Sequence, residues 1–136
     1  MKILSSPFKF KGESYLGKIY RPYVQILITS DKIDEDIPIE MIIDTGADYT
    51  LFPKRYAQLL GINLKIDCRL EKTQGVGGQE VIYLCKNGIH IKIDEFQKEI
   101  PVGFLNRDDI PALLGRLKAL EALTLIMENQ ITQLEI

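Results

Sequence analysis

The sequence lacks any long apolar run, and no stretch approaches the ~20 consecutive apolar residues that a membrane-spanning helix needs. Its opening residues, MKILSSPFKFKG, hold only a few apolar positions before Ser and Pro. That stretch is too short for the hydrophobic region of a secretory signal. We therefore expect a cytoplasmic protein that has no membrane partner.

Basic residues are not concentrated in any part of the chain. Lys and Arg together number 17, against 19 Asp and Glu, and the net charge is -2. Nucleic-acid binding requires a basic stripe that neutralises phosphates, and the sequence offers none. We expect no nucleic-acid partner.

Histidine is scarce, which limits the metal sites and the nucleophiles that the chain can build. His90 is the only histidine, and it lies in the alternating run IHIKI, which is typical of one face of a strand. Without a close Cys pair, the chain has too few good ligands for zinc, so we expect neither a metal nor another cofactor. Ser–His and Cys–His catalysis are excluded as well, unless His90 itself serves.

Cysteine is also scarce, since the chain contains only Cys68 and Cys85. The two could form a disulfide, but disulfides are rare in reducing compartments and no export signal is evident. We expect both cysteines to be reduced and to fill half-buried strand positions.

Length and composition predict one globular domain. The chain has 136 residues, of which 46% are hydrophobic and 26% are charged. These values fit a single folded domain with its own core, and they exclude an extended disordered tail.

Most of the chain has the alternating, β-branched pattern of strands. Segments 20–30 and 37–44 predict a hairpin around the polar turn 31–36. Segment 66–104 is again extended, with a second hairpin expected at 94–97. Asn87-Gly88 is a hairpin signal by itself, but we interpret it as a bend or bulge because the strands around 94–97 match in length.

Helical signals are few. Segment 53–61 predicts a short helix, with Pro53 at its first position and Gly61 just past its end. Leucines at helical spacing predict another helix over 111–122, with a break at Gly115, because glycine inside a helix costs ~1 kcal/mol relative to alanine. Two further strands, 123–127 and 131–136, complete a mainly-β domain.

Three motifs stand out, in the order IIDTGAD, GVGG and LLGR. The first ends an Ile-rich strand on Asp44, Thr45 and Gly46, although packing gives no reason for an acid there. Taken singly, the first motif could be a turn and GVGG (75–78) an ordinary hairpin loop. A phosphate-binding loop is excluded for GVGG, because no Lys-Ser/Thr follows it.

Together the three motifs resemble the retropepsin-like aspartic proteases, the single-domain family that includes retroviral proteases and their cellular relatives. The resemblance covers residues 20–136 and includes the YAQLLGIN helix after the first motif. It implies a mainly-β fold, a closed β-barrel with one or two short helices and one lobe per chain. Residues 1–19 fall outside it and are expected to form an N-terminal extension that could add a strand.

The resemblance also implies a reaction that needs two carboxylates. Peptide hydrolysis by this family uses a water molecule activated by two aspartates that share one proton. The chain has a single Asp-Thr-Gly, so its active form would be a homodimer in which each subunit contributes Asp44. The implied function is that of an aspartic endopeptidase acting on a peptide or protein substrate.

Roles for single residues follow from the resemblance alone. Asp44 would be the general acid and base, Thr45 would link the two subunits, and Gly46 would let the substrate backbone approach. Arg116 would pair with Asp48, although two solvated charges are an equally good interpretation. The expected substrate-binding residues are Ala47, Asp48 and the flap residues Gly75, Val76, Gly77 and Gly78, and the expected supporting residues are Leu113, Leu114, Gly115 and Arg116.

Two alternatives stay open at this point. The chain could be a dimeric module of the same fold that binds peptides without cleaving them efficiently. It could also be a protease that is active only within a larger assembly, where partners order the flap.

Overall fold

The computed structural model describes residues 1–75 and 78–136, in which strands account for 57% of the chain and helices for 9%. This confirms the mainly-β class. The strands are β1 Lys2–Pro7, β2 Lys9–Ser14, β3 Gly17–Arg21, β4 Tyr23–Ser30, β5 Ile37–Ile43, β6 Thr50–Pro53, β7 Arg69–Gly75, β8 Gly78–Cys85, β9 Ile89–Ile93, β10 Phe96–Glu99, β11 Val102–Leu105, β12 Ala112–Leu114, β13 Thr124–Glu128 and β14 Ile131–Glu135. The helices are α1 Arg55–Leu59, α2 Leu64–Asp67 and a 3₁₀ helix, Leu120–Ala122.

Nine strands form the main sheet, in the order β10-β9-β4-β5-β12-β6-β11-β8-β7. Among the described residues this pairing ends at two edge strands, β10 and β7, and does not close into the barrel that the resemblance implied. Strand β7 is exposed from residue 69 to residue 74, so neither of its faces is covered by another strand. One of the two open edges therefore lies on the β7–β8 hairpin.

Strand β12 lies between β5 and β6 at the centre of this sheet. It runs parallel to β5 and pairs with β6 through Leu113 and Leu51. Alternate residues of β5 are buried, namely Ile39, Met41 and Ile43, because one face of the strand packs on the core. After β5 the chain turns at residue 44, beside the end of β12, and then enters β6.

The helix expected over 111–122 is wrong. Ala112–Leu114 form strand β12, and helical structure appears only in the 3₁₀ turn Leu120–Ala122. The leucine spacing misled because Leu117, which a helix would have buried with its neighbours, is 42% exposed. A gap between β5 and β6 offers backbone partners on both sides, and this tertiary context overrides the helical spacing.

The helix expected over 53–61 is present but shorter. Pro53 ends strand β6 and pairs with Leu105, and α1 begins two residues later at Arg55. Gly61 follows the helix with φ +70°, in the left-handed conformation expected there. Helix α2 was not predicted, although Asn63 caps it by accepting hydrogen bonds from the Lys65 and Ile66 N–H groups.

Both hairpin predictions in the middle of the chain are confirmed. Strands β4 and β5 pair around the polar turn, and β9 pairs with β10 around Asp94. Asn87-Gly88 is a bend, because β8 pairs with β7 and β11 whereas β9 pairs with β4 and β10.

The expectation of reduced cysteines is wrong in this structure, which joins Cys68 to Cys85 by a disulfide. The register of the β7–β8 hairpin explains the pairing. Arg69 lies opposite Leu84 in this hairpin. Cys68, which precedes Arg69, therefore comes close to Cys85, which follows Leu84, and their Cα atoms are 4.8 Å apart. The disulfide therefore closes the base of this hairpin.

The N-terminal residues form strands of their own. Strand β1 pairs with β14, which also pairs with β13, in a separate three-stranded sheet. Strands β2 and β3 form a hairpin whose tip residues, Tyr15 and Leu16, are almost fully exposed. The boundary expected between residues 19 and 20 falls inside β3, and the division into two regions stays a prediction. Within the described residues, none of the helices is both long and apolar enough to cross a bilayer.

Candidate active site

Asp44 lies directly after β5, at the end of β12. Its backbone N–H donates a hydrogen bond to the Leu114 carbonyl at 3.0 Å, which continues the β5–β12 pairing by one step. Its carboxylate Oδ1 accepts the Gly46 N–H at 2.9 Å, and its carbonyl accepts the Ala47 N–H at 3.2 Å. The side chain is half-buried, so the tight turn fixes the carboxylate while leaving it reachable.

The loop that follows Asp44 is held by the residues after β12. The Arg116 N–H donates to the Ala47 carbonyl at 3.1 Å, and the Leu117 N–H donates to the Asp48 carbonyl at 2.9 Å. These two bonds join the IIDTGAD motif to the last residue of the LLGR motif and to the residue that follows it. The motifs are far apart in sequence, so the fold alone brings them together.

Gly115 makes this approach possible. A Cβ atom built on Gly115 would lie 2.3 Å from the backbone carbon and oxygen of Tyr49 and 2.8 Å from the Thr50 nitrogen. The Gly115 N–H also donates to the buried Thr50 hydroxyl at 3.2 Å. Glycine is required here because two backbone segments touch, rather than because of an unusual dihedral angle.

Arg116 braces the same loop with its side chain. Its Nη2 donates to Asp48 Oδ1 at 2.7 Å and its Nη1 donates to the Thr45 carbonyl at 2.7 Å. The side chain of Asp48 is 80% exposed, so the ion pair by itself contributes little free energy. The planar guanidinium nevertheless connects two loop residues at once, which fixes their relative position.

A cleft of about 510 Å³ opens beside Asp44 and is covered by the β7–β8 hairpin. Leu113, expected only as a support, lines this cleft, whereas Leu114 is fully buried beneath the loop. The cleft is lined by Asp44, Gly46, Ala47, Asp48, Tyr49, Leu51, Thr73, Gln74, Glu80, Ile82, Leu105 and Leu113.

The predicted flap is the tip of the β7–β8 hairpin. Gly75 and Gly78 face each other as the last pair of the ladder, and Gly78 has φ +112°. Val76 and Gly77 lie outside the described residues. Gly75 and Gly78 therefore end the ladder of a hairpin that lines the cleft, and their role as a flap stays a prediction.

The sequence motifs did not indicate the hairpin residues Thr73, Gln74 and Glu80, which also line the cleft. Hairpin symmetry could have found them, because Thr73 pairs with Glu80 and Gln74 pairs with Gln79 on either side of the glycines. Once GVGG is taken as a hairpin tip, the flanking polar residues face the site.

Two groups near the cleft have displaced pKa values. The pKa of Tyr49 is raised by burial, and the nearby carboxylates of Glu71 and Asp48 raise it further. The pKa of Asp109 is lowered to about 2, chiefly by hydrogen bonds from the Arg107 guanidinium. Arg107 also donates to Glu80 Oε1 at 2.7 Å, so the loop after β11 is tied to the cleft wall.

Potential metal ligands gather away from this cleft. Asp31, His90 and Glu99 come together at the other end of β4, and their ligand atoms lie within 4.8 Å of one another.

One family model and two solved structures are similar to this chain. The family model described as "Aspartyl protease" matches residues 30–116, more than half of the chain. A retropepsin-like aspartic protease from Rickettsia conorii has a similar structure, with a TM-score of 0.63, 16% identity and 96% coverage of each chain. The EIAV protease complexed with the inhibitor HBY-793 is also similar, with a TM-score of 0.48, 24% identity, and coverage of 71% of this chain and 82% of that one.

No curated protein sequence matches the chain significantly. Family membership therefore depends on the family model, and the fold assignment on the likeness to the Rickettsia structure. The chain belongs to the aspartyl protease family and has a retropepsin-like fold.

Proposed function

We propose that the chain is an aspartic endopeptidase whose active site is completed by a second copy of the chain. The observation that carries this proposal is the position of Asp44, half-buried at the edge of a cleft that the β7–β8 hairpin covers. The Asp-Thr-Gly loop is fixed by hydrogen bonds on both of its sides, as a catalytic carboxylate requires.

The reaction needs a second carboxylate, and the sequence contains no second Asp-Thr-Gly. In the proposed homodimer, the two Asp44 side chains meet across a two-fold axis and share one proton. The ionised carboxylate removes a proton from a water molecule, whose oxygen attacks the peptide carbonyl. The other carboxylic acid protonates the carbonyl oxygen. As the C–N bond breaks, the first carboxyl gives the proton taken from water to the leaving nitrogen, and the second carboxylate takes back the hydroxyl proton as the new carboxyl group forms.

The residues around Asp44 have supporting roles in this proposal. Thr45, which is exposed in the single chain, contacts its counterpart across the axis. Gly46 leaves room for the substrate backbone, and Ala47 and Asp48 bind that backbone along the cleft. The flap around residues 75–78 closes over an extended peptide and excludes water from it.

Other parts of the sequence-based interpretation belong to the same proposal. Residues 20–136 form the protease domain, and residues 1–19 are an extension that supplies an added strand. The cytoplasm stays the expected location, and peptides or proteins are the expected substrates.

A cleavage assay tests the proposal most directly. Peptide hydrolysis is measured between about pH 3 and pH 7 for the native chain and for Asp44→Asn, with pepstatin as a probe. We expect cleavage by the native chain only, and loss of cleavage on addition of pepstatin. Asp94→Asn is the matched control, because Asp94 occupies a turn at φ +49°, which asparagine tolerates, outside the cleft.

Two results would contradict the proposal. Equal cleavage by the native chain and Asp44→Asn would remove Asp44 from the chemistry. Tight binding of peptides that stay intact at every pH would instead favour the non-cleaving peptide-binding module.

A further inference from the structure

Three potential ligand side chains from three different strands converge at the end of the main sheet opposite the Asp44 loop. Asp31 directly follows β4, His90 lies in β9, and Glu99 ends β10 directly opposite His90 in the ladder. His90 Nε2 lies 2.8 Å from Asp31 Oδ1 and 3.9 Å from Glu99 Oε2. We call these three residues the His90 cluster.

The electrostatics of the His90 cluster favour a cation at its centre. Two carboxylate oxygens face the same imidazole nitrogen, which carries either one proton or a lone pair. A proton on Nε2 can be donated to Asp31 at 2.8 Å, but 3.9 Å to Glu99 is too long for a hydrogen bond. A divalent cation placed among the three atoms would replace the His90–Asp31 hydrogen bond and bring Glu99 in as a third ligand.

The backbone holds the Glu99 carboxylate and the main chain of Asp31 in place without any ion. The Gly88 N–H donates to Glu99 Oε2 at 2.9 Å, and the Asp31 N–H donates to the Gly88 carbonyl at 2.9 Å. Both bonds use the Asn87-Gly88 bend, which connects β8 to β9. Such outer hydrogen bonds orient carboxylate ligands in metal sites and increase metal affinity.

The His90 cluster is open to solvent on one side. It lines a cleft of about 560 Å³ that also contains the carboxylates of Asp34 and Asp36. The side chain of His90 is 36% exposed, so an ion could enter and keep water molecules as further ligands. Lys92 and Lys98 line the same cleft, and Lys92 Nζ lies 3.3 Å from Asp36 Oδ2, so Asp34 is the nearby carboxylate that adds to the attraction for a cation.

We propose that Asp31, His90 and Glu99 bind a divalent metal ion of the zinc type. One imidazole nitrogen and two carboxylate oxygens match the donor atoms that Zn²⁺ accepts, with water completing the tetrahedron. Mg²⁺ fits less well, because it prefers oxygen ligands in a near-octahedral arrangement. The sequence alone did not predict this site, because Asp31 and His90 are 59 residues apart and only the fold unites them.

The proposed ion would stabilise the sheet edge and take no part in peptide cleavage. Asp44 lies beside Pro22, which accepts the Ile43 N–H at 3.0 Å, and Asp31 lies at the far end of the eight-residue strand β4. Eight residues of strand span roughly 25 Å. The ion would connect the ends of β4, β9 and β10, and would stabilise the fold by mass action.

The test uses the full chain, freed of metal by EDTA, under non-reducing conditions that keep the two cysteines in their disulfide. Zn²⁺ is added, and binding is followed by calorimetry and by nitrogen NMR of the imidazole. Because His90 is the only histidine, its two ring nitrogens give an unambiguous readout. We expect one Zn²⁺ per chain, a shift of the Nε2 resonance on binding, and a much weaker response to Mg²⁺.

Matched variants distinguish a specific metal site from nonspecific attraction of Zn²⁺ to an acidic surface. Asp31→Asn and Glu99→Gln keep the side-chain shapes and should each weaken Zn²⁺ binding by about tenfold or more. Asp34→Asn removes the same charge from the same cleft without removing a proposed ligand, and it should lower the affinity far less than either ligand variant does. Circular dichroism establishes that each variant is folded.

The proposal fails if Zn²⁺ leaves the His90 ring resonances of the native chain unchanged, a result that needs no variant. It also fails if Asp31→Asn and Glu99→Gln bind as tightly as the native chain. An equal loss of affinity in Asp34→Asn would likewise overturn it, because binding would then reflect the acidic surface alone.

Discussion

Two glycines at the active site are required for different reasons, and their alanine variants should behave differently. Replacing Gly115 by Ala puts a methyl group 2.3 Å from the Tyr49 backbone, so one of the two motifs must move. We expect the free energy of unfolding to fall by about 3 kcal/mol, at the upper end of the usual cost of overpacking. Urea denaturation measures this directly.

Gly46→Ala is the comparison variant. The nearest atom to its new methyl group is Asp44 Oδ1 at 3.2 Å, which is tight but not prohibitive. We expect stability close to that of the native chain, and reduced cleavage because the methyl group crowds the carboxylate. An unfolding free energy for Gly115→Ala equal to that of Gly46→Ala would refute the close-approach argument.

The pair Arg107–Asp109 should remain ionised at acid pH. Arg107 donates to both Asp109 oxygens, at 2.5 and 2.6 Å, and holds the pKa of Asp109 at about 2, below the ordinary 3.8. Because the folded chain has the lower pKa, the pair stabilises it above pH 3.8, and this stabilisation is lost as the pH falls toward 2. We expect the carboxyl carbon of Asp109 to titrate near pH 2 by NMR.

Arg107→Gln is the control for this titration. Without the guanidinium, the pKa of Asp109 should return toward its ordinary value, and the link to Glu80 at the cleft wall is also lost. A native Asp109 that titrates like a free aspartate would contradict the hydrogen bonds in the structure.

At the scale of single residues, the resemblance implied the contact between Arg116 and Asp48, which is present at 2.7 Å, whereas the catalytic role of Asp44 stays a prediction. Glu80 and Thr73 have no local signal, because their place in the cleft depends on which strands cover it. Their roles in substrate binding stay predictions.

Among the structural elements, the disulfide at the base of the β7–β8 hairpin should make a measurable contribution to stability. It closes a loop with a sequence separation of 17, and loops of this size correspond to about 3 kcal/mol in the chain-entropy model. We expect Cys68→Ser combined with Cys85→Ser to lower the free energy of unfolding by about that amount. Denaturation by urea without reductant is the measurement.

Reductant provides the internal control. Dithiothreitol should destabilise the native chain to the level of the double variant and should leave the double variant itself unchanged. Two free thiols per native chain, titrated after purification without reductant, would contradict the disulfide.

Elements with strong local signals were predicted well, and those set by distant partners were not. The β4–β5 hairpin and the hairpin around Asp94 have turn residues between alternating strands, so their neighbours in space are also neighbours in sequence. Strand β12 has three residues and pairs with β5 and β6, which lie more than 50 residues earlier in the sequence. Its leucine pattern is compatible with a helix as well as with a strand. The segment forms a strand because β5 and β6 supply backbone hydrogen-bond partners on both sides.

At the scale of the whole molecule, the presence of a single Asp-Thr-Gly in each chain predicts how mixtures of native and Asp44→Asn chains behave. If activity requires two Asp44 residues, native chains paired with Asp44→Asn chains should be inactive or nearly so. With a roughly tenfold excess of the variant and random pairing, cleavage per native chain should fall about tenfold. The measurement is peptide cleavage after the two proteins are mixed and allowed to exchange subunits.

The same excess of an unrelated inert protein is the control for this mixing experiment. The suppression should persist at saturating substrate, because it arises from subunit exchange rather than from competition for peptide. Cleavage that stays proportional to the native chain, however much variant is added, would show that one chain suffices.

The middle position of β14 in the three-stranded sheet determines how this part of the protein withstands truncation. Both β1 and β13 take their backbone hydrogen bonds from β14, whose Leu134 is fully buried. Trimming β1 removes one outer ladder and leaves an intact β13–β14 hairpin, whereas trimming β14 leaves two single strands with unpaired edges. Unpaired strand edges promote aggregation. A protein truncated at the N-terminus should therefore stay dispersed, whereas one truncated at the C-terminus should precipitate.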